Sequence, residues 1–230
     1  MPDITIAGAD GAFSAYLAMP AGGRGPGIIA IQEIFGVNAD MRKHCDDFAA
    51  QGYIAISPDL FWRQDPGIQI TDQTEAEWQR AFQLYQGFDV DKGVEDLITT
   101  LKHLRGIDGF GGKAGTVGFC LGGLLAYLMA CKSDADCHVS YYGVGINEKL
   151  DLAKGITAPT ILHIAEEDEY VDRDAQAKIA SGLAGHPKVT IYSYPGVNHA
   201  FTRNNGIHYD DAAAKLAHGR TAAAFRAALR

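Results

Sequence analysis

Gly115-Thr116-Val117-Gly118-Phe119-Cys120-Leu121-Gly122-Gly123-Leu124-Leu125-Ala126-Tyr127-Leu128-Met129 contains a short β-branched run, a Gly-Phe-Cys-Leu-Gly turn and an apolar stretch of good helix formers. This is a strand-to-helix turn of the form G-x-nucleophile-x-G, with cysteine at the nucleophile position. A nucleophile on so sharp a bend has a strained backbone and needs neighbours without side chains. Gly118 and Gly122 supply that room. Amide N–H groups opening the following helix point at whatever lies above Cys120 and favour negative charge there, a thiolate or an oxyanion. Taken alone, a cysteine in an apolar run is more often a small buried hydrophobe, so the remaining chain has to supply its partners.

Outward from this turn, Gly27–Gln32 is continuously apolar, as suits a strand buried on both faces of a parallel sheet, and Tyr53–Ser57 makes another buried strand. Lys113–Phe119, Cys137–Tyr142, Thr160–Ile164 and Val189–Tyr194 read as further strands. Between them fall helical patterns: Asn38 to Gln51, with Asn38 as cap and Gly52 as stop, then Glu75 to Gln86, Val90 to Leu104, Asp172 to Leu183, and a closing alanine-rich helix from about Asp210 to Leu229. Ile4–Ala7 and Phe13–Ala18 alternate around Asp10-Gly11, a hairpin signal. Pro58 to Asp72, with Trp62 and Arg63, reads as irregular. Strands alternating with helices predict a mostly parallel α/β sheet covered on both faces, preceded by an antiparallel hairpin. No linker or repeat divides residues 1–230, so one α/β domain is expected.

The chain has 230 residues, 47% hydrophobic and 21% charged, with a formal charge of −8. That balance suits an ordinary globular enzyme and argues against nucleic acid or an anionic membrane as partner. No apolar run reaches the length of a membrane helix, and the polar start lacks a signal-peptide core, so a cytoplasmic protein is expected. Cys45, Cys120, Cys131 and Cys137 show no framework or zinc-like spacing. No metal or organic cofactor is implied, since neither an H-E-x-x-H motif nor a phosphate loop is present. A monomer is the default expectation.

Nucleophilic catalysis needs a base beside the nucleophile and a carboxylate to orient that base. On an α/β-hydrolase sheet they follow in the order nucleophile, acid, histidine. The run His163-Ile164-Ala165-Glu166-Glu167-Asp168-Glu169-Tyr170 leads a strand into an acidic loop, where Asp168 competes with three glutamates. Tyr194-Pro195-Gly196-Val197-Asn198-His199 leads another strand into a loop histidine. Cys120, Asp168 and His199 are the candidate triad, all beyond the carboxyl ends of strands. His163, inside an apolar strand, reads as a core residue.

Across essentially the whole chain the sequence resembles the dienelactone hydrolase (carboxymethylenebutenolidase) family of α/β-hydrolases. The resemblance is carried by Gln32-Glu33-Ile34-Phe35-Gly36, Ser57-Pro58-Asp59-Leu60, Gly118-Phe119-Cys120-Leu121-Gly122-Gly123, Tyr141-Tyr142-Gly143-Val144-Gly145 and His199-Ala200-Phe201-Thr202-Arg203. It implies a Cys120–His199–Asp168 triad with Glu33 as an additional carboxylate. Independently, Glu33 ends the first parallel strand, where its charge would oppose a free thiolate and keep Cys120 protonated. The resemblance further implies backbone oxyanion donors at Leu121 and Ile34, a substrate-carboxylate contact at Arg203, and Tyr141 on the pocket wall. It breaks on the helix around Glu75 to Gln86. The family's second carboxylate-binding arginine falls there, one turn before an aromatic residue, whereas this chain has Trp78 and Phe82, with Arg80 two residues away. Either Arg80 substitutes or the pocket is more apolar.

The expected activity is cysteine-dependent opening of a small unsaturated lactone bearing a carboxylate, through a thioester. The alternatives are a relative acting on another, uncharged ester, and a thiol-redox or ligand-binding protein on the same fold.

Overall fold

The computed structural model describes residues 3–230. By contact density it divides into two compact units, Met1–Thr116 and Val117–Arg230, with the boundary inside one strand. In chain order the first unit holds β1 (Asp3–Ala7), β2 (Ala12–Ala18), β3 (Gly25–Ile31), α1 (Ala39–Ala50), β4 (Ile54–Pro58), α2 (Glu75–Gln86), α3 (Val90–Arg105) and the start of β5 (Phe110–Phe119). The second holds the end of β5, then α4 (Leu121–Lys132), β6 (Cys137–Tyr141), β7 (Thr160–Ala165), α5 (Arg173–Gly182), β8 (Val189–Tyr194) and α6 (Asp211–Leu229).

These strands make an eight-stranded sheet in the order β1-β2-β4-β3-β5-β6-β7-β8. β1 runs antiparallel to β2 and β2 antiparallel to β4, while β3 and β4, β6 and β7, and β7 and β8 pair in parallel. This is the mostly parallel sheet with an antiparallel N-terminal hairpin that the apolar patterning predicts. Side-chain burial follows strand position. Every residue of β4, β6 and β7 is buried, as interior parallel strands must be, whereas β1 and β8 at the two edges alternate with exposed positions.

Helix starts follow from local hydrogen bonding. Asn38 Oδ1 accepts from the amides of Asp40 and Met41, and Asp89, Asp172 and Asp210 do the same for α3, α5 and α6. Thr74 and Glu77 form a capping box at α2, in which the Glu77 amide donates to Thr74 Oγ1 and the Thr74 hydroxyl donates to Glu77 Oε2. Gly52 ends α1 with φ of 92°, a conformation that favours glycine. α4 differs from the other helices, being buried on every side from Leu121 to Ala130. That is why its sequence shows no polar face.

The irregular stretch after β4 is held by its polar groups. Asp59 accepts from the amides of Phe61 and Gly67, and Arg63 makes a paired contact to Asp96 at 2.6 and 3.0 Å. Trp62 Nε1 donates to the same carboxylate. Two 3₁₀ turns, Ile146–Glu148 and Leu150–Gly155, follow β6 with no helical periodicity to announce them. Among the described residues no helix is long and apolar enough to cross a membrane.

Candidate active site

Cys120 is the first residue past β5 and caps α4 with φ of 55° and ψ of −115°. An L-residue with positive φ outside the helical region is strained, and the bend persists only because its surroundings hold it. The Cys120 amide donates to the Tyr141 carbonyl at 3.1 Å, and the Cys120 carbonyl accepts from Gly123 and Leu124. A Cβ on Gly118 would overlap the Gly122 backbone, and one on Gly123 would lie 2.5 Å from the Tyr141 carbonyl oxygen and 2.8 Å from Gly143 Cα. Gly118 and Gly122 therefore close the turn on itself. Gly123, not singled out in the sequence reading, lets α4 seat against the end of β6.

Four acids follow β7, and local pairing separates them. Glu166 and Glu167 turn outward to Arg173, at 3.5 and 2.7 Å, and Glu169 is exposed. Asp168 is buried, and its Oδ1 accepts from the amides of Tyr170 and Val171 at 2.9 and 3.0 Å. Toward its carboxylate His199 directs Nδ1, 2.9 Å from Oδ2 and 3.0 Å from Oδ1. The imidazole follows β8 on a loop fixed by Asn198, whose Oδ1 accepts from the His199 amide at 2.6 Å, and by Ala200 with φ of 61°.

On its other side, His199 Nε2 is buried without a hydrogen-bond partner, and Cys120 is near enough to act on the charge of the imidazole. Burial alone would push the imidazole pKa down. Negative charge on Cys120 and the hydrogen bond to Asp168 outweigh burial and raise it from 6.5 to about 10. An imidazolium between a carboxylate and a sulfur can hold or return the proton of that sulfur. A folded-state pKa above the unfolded one stabilises the fold fully below the unfolded value and loses that contribution as pH climbs through the folded value. The difference in melting temperature between wild type and His199→Gln should therefore narrow from pH 6.5 to pH 10. A difference that stays constant or widens over that range would contradict the charged pairing.

The remaining cysteines are poorer nucleophiles. Burial raises the thiol pKa of Cys131 to about 11 and of Cys137 to about 12, and that of Cys45 further still. His163 is a core residue, as expected, with Nδ1 2.7 Å from the Tyr194 hydroxyl and Nε2 3.1 Å from Thr221 Oγ1.

Two aromatic rings stand edge-on to His199: Tyr142 with centroids 5.0 Å apart and Tyr170 at 4.9 Å. Neither was singled out for a role from the sequence. Tyr141, expected on the pocket wall, is fully buried. Its ring stacks on Phe119, and its hydroxyl is 2.5 Å from Thr221 Oγ1 and 3.2 Å from His218 Nδ1. β6 ends at Tyr141, and Tyr142 leaves the strand with φ of 40°, where its ring rather than that of Tyr141 meets the imidazole. Arg203 is buried four residues past His199, its amide donating to the Ala200 carbonyl.

In the first unit, Glu33 and Ile34 are buried just past β3, and Glu33 is near enough to His44 to act on its charge. Trp78 stacks on Phe82 at 5.5 Å and meets Phe35 edge-on at 5.1 Å, with its Nε1 donating to the Asp72 carbonyl. Arg80 lies on another face of α2, where its guanidinium is 2.7 Å from Asp65.

The sheet, its hairpin and the strained cysteine turn define an α/β-hydrolase. Residues 13–229 match the model of the dienelactone hydrolase family. A protein of Azospirillum brasilense, provisionally described as a carboxymethylenebutenolidase, is 52% identical over 98% of both chains. The carboxymethylenebutenolidase of Pseudomonas putida is 38% identical, covering 94% of this chain and 92% of that one. Among solved structures, a protein of Klebsiella pneumoniae provisionally described as a dienelactone hydrolase superposes with a TM-score of 0.85 at 26% identity, over 98% of this chain and 97% of the other. The chain belongs to the dienelactone hydrolase family, and with it to the hydrolases of esters and lactones.

Proposed function

We propose that this protein opens a small unsaturated lactone bearing a carboxylate, using Cys120 as nucleophile, His199 as proton carrier and Asp168 to orient the imidazole. The observation that carries this reading is the buried His199–Asp168 contact beside a cysteine held at positive φ. The Cys120 thiolate adds to the lactone carbonyl. As the tetrahedral adduct collapses, the ring C–O bond breaks and an enolate leaves, becoming the ketone as it takes the proton that His199 holds. His199 then takes a proton from water, hydroxide equivalent adds to the thioester, and the C–S bond breaks to return the thiolate. Thiolate is a strong nucleophile but also a good leaving group, which suits activated esters such as enol lactones over amides.

Further assignments follow the family pattern as part of the same proposal. The amides of Leu121 and Ile34 hold the oxyanion, Glu33 opposes a free thiolate until substrate arrives, and Arg203 pairs with the substrate carboxylate. Trp78 and Phe82 offer an aromatic surface, Tyr141 supports the core beneath the turn, and Arg80 would have to leave Asp65 to take a substrate role. Residues 1–230 act as one catalytic domain, working as a monomer in the cytoplasm.

Incubation with a carboxylate-bearing dienelactone, followed by its ultraviolet absorbance, tests the reaction. Arg203→Ala should raise KM for that substrate about tenfold to a hundredfold, the loss of a charge-assisted contact, and leave a neutral lactone little changed. An unaltered KM for the anionic lactone would remove the carboxylate from the substrate's description. Trp78 packed on Phe82, with Arg80 engaged by Asp65, favours the second reading of an uncharged ester. A preference of wild type for the neutral lactone would select it.

A further inference from the structure

Of the two rings against His199, Tyr142 is buried, with its hydroxyl 2.8 Å from Thr202 Oγ1. Tyr170 is different. It meets the imidazole at an interplanar angle of 79° yet remains 42% exposed. Its position is nonetheless fixed, because its amide donates to Asp168 Oδ1, on the carboxylate that also receives His199. Among the described residues its hydroxyl has no hydrogen-bond partner. A large aromatic residue with a free polar tip, pinned beside the base and open to solvent, has the form of a ligand contact.

The surroundings of that hydroxyl indicate what it would bind. Burial, then the charges of Glu169 and Cys120, raise the phenol pKa, and Arg203 works in the opposite direction. Sulfur and guanidinium both lie near enough to act on the phenol oxygen, which stays protonated and can donate. A neutral donor with a cation close to it forms a pair suited to a carboxylate.

We propose that Tyr170 is a substrate-contacting residue: its ring covers the acyl group held at Cys120, and its hydroxyl shares with Arg203 the recognition of an anionic substituent on the lactone. This rests on the Cys120-centred reading given above.

Steady-state kinetics of Tyr170→Phe and Tyr170→Ala on a carboxylate-bearing lactone and a neutral lactone of the same ring test the assignment. Tyr170→Phe should raise KM for the anionic lactone about tenfold, keep kcat within about twofold, and leave the neutral lactone unchanged. Tyr170→Ala should raise KM for both, since it also removes the covering ring. Equal changes on the two lactones in Tyr170→Phe, or a fall in kcat at constant KM, would assign the residue to holding His199 and overturn the proposal. So would no change at all. Wild type that cleaves both lactones, and loses both activities in Cys120→Ala, isolates such a failure to Tyr170 alone. Wild type that cleaves neither refutes the parent reading and this one together. Cleavage of the neutral lactone only also overturns the anionic contact. Should Tyr170→Ala fail to fold, the conservative Tyr170→Phe decides.

Discussion

Replacing Cys120 with alanine is expected to lower kcat for lactone opening by at least about 10⁴-fold, because members of a nucleophile–base unit fail together. The geometry supports so large an effect. Cys131 and Cys137 have thiols pushed up to about 11 and 12 by burial, and Cys45 higher still, so none replaces the lost thiolate. His199→Ala should cost nearly as much. Without the imidazole, the sulfur has no base to take its proton, and the thioester has none to activate water. The double variant should be little worse than either single one, in contrast to the multiplicative loss expected of independent groups. Steady-state turnover of Cys120→Ala within tenfold of wild type would remove covalent catalysis from the protein.

Asp168→Asn is expected to lower kcat by about 10³- to 10⁴-fold while leaving the loop in place. Oδ1 of Asp168 accepts from two backbone amides, Tyr170 and Val171, so an asparagine must keep its oxygen there. Its NH₂ then faces His199 Nδ1, where the aspartate accepts a hydrogen bond at 2.9 Å. Two donors cannot meet, so the imidazole shifts its proton to Nε2 and can no longer accept one from Cys120. The melting temperature should fall less than in Asp168→Ala, because both amide bonds survive. Asp168→Ala, by contrast, leaves two buried amides and a buried imidazole unpaired, at a cost on the order of 3 kcal/mol or more. An Asp168→Asn enzyme within tenfold of wild-type kcat would show that the carboxylate does not set the tautomer.

The residues that carry local rules were legible in advance. Residue patterning placed α2 at Glu75–Gln86 and β8 at Val189–Tyr194 where they are observed, and Gly-Phe-Cys-Leu-Gly marked the bend at Cys120. Three other features depend on packing that the pattern alone does not specify. Glu166, Glu167, Asp168 and Glu169 are alike in pattern; Arg173 draws Glu166 and Glu167 outward, and Asp168 turns back to the amides of Tyr170 and Val171. Nothing in the pattern sends Tyr141 to Thr221 and Tyr142 to His199, because both stand in one expected strand, whereas the observed strand ends between them and Tyr142 takes φ of 40°. The role of Gly123 was hidden because its close approach is to Tyr141 and Gly143, about twenty residues downstream in the chain.

The backbone at Cys120 also limits which atoms can ever serve as its reactive tip. At φ of 55° a side chain survives only if its first carbon is unbranched, so hydroxymethyl fits where thiomethyl now stands, while an added methyl is excluded. The scaffold is thus indifferent to the exchange of chalcogen and intolerant of bulk. A drift between oxygen and sulfur chemistry at this point of the chain would need retuning of the proton relay alone, with no rebuilding of the corner that presents it.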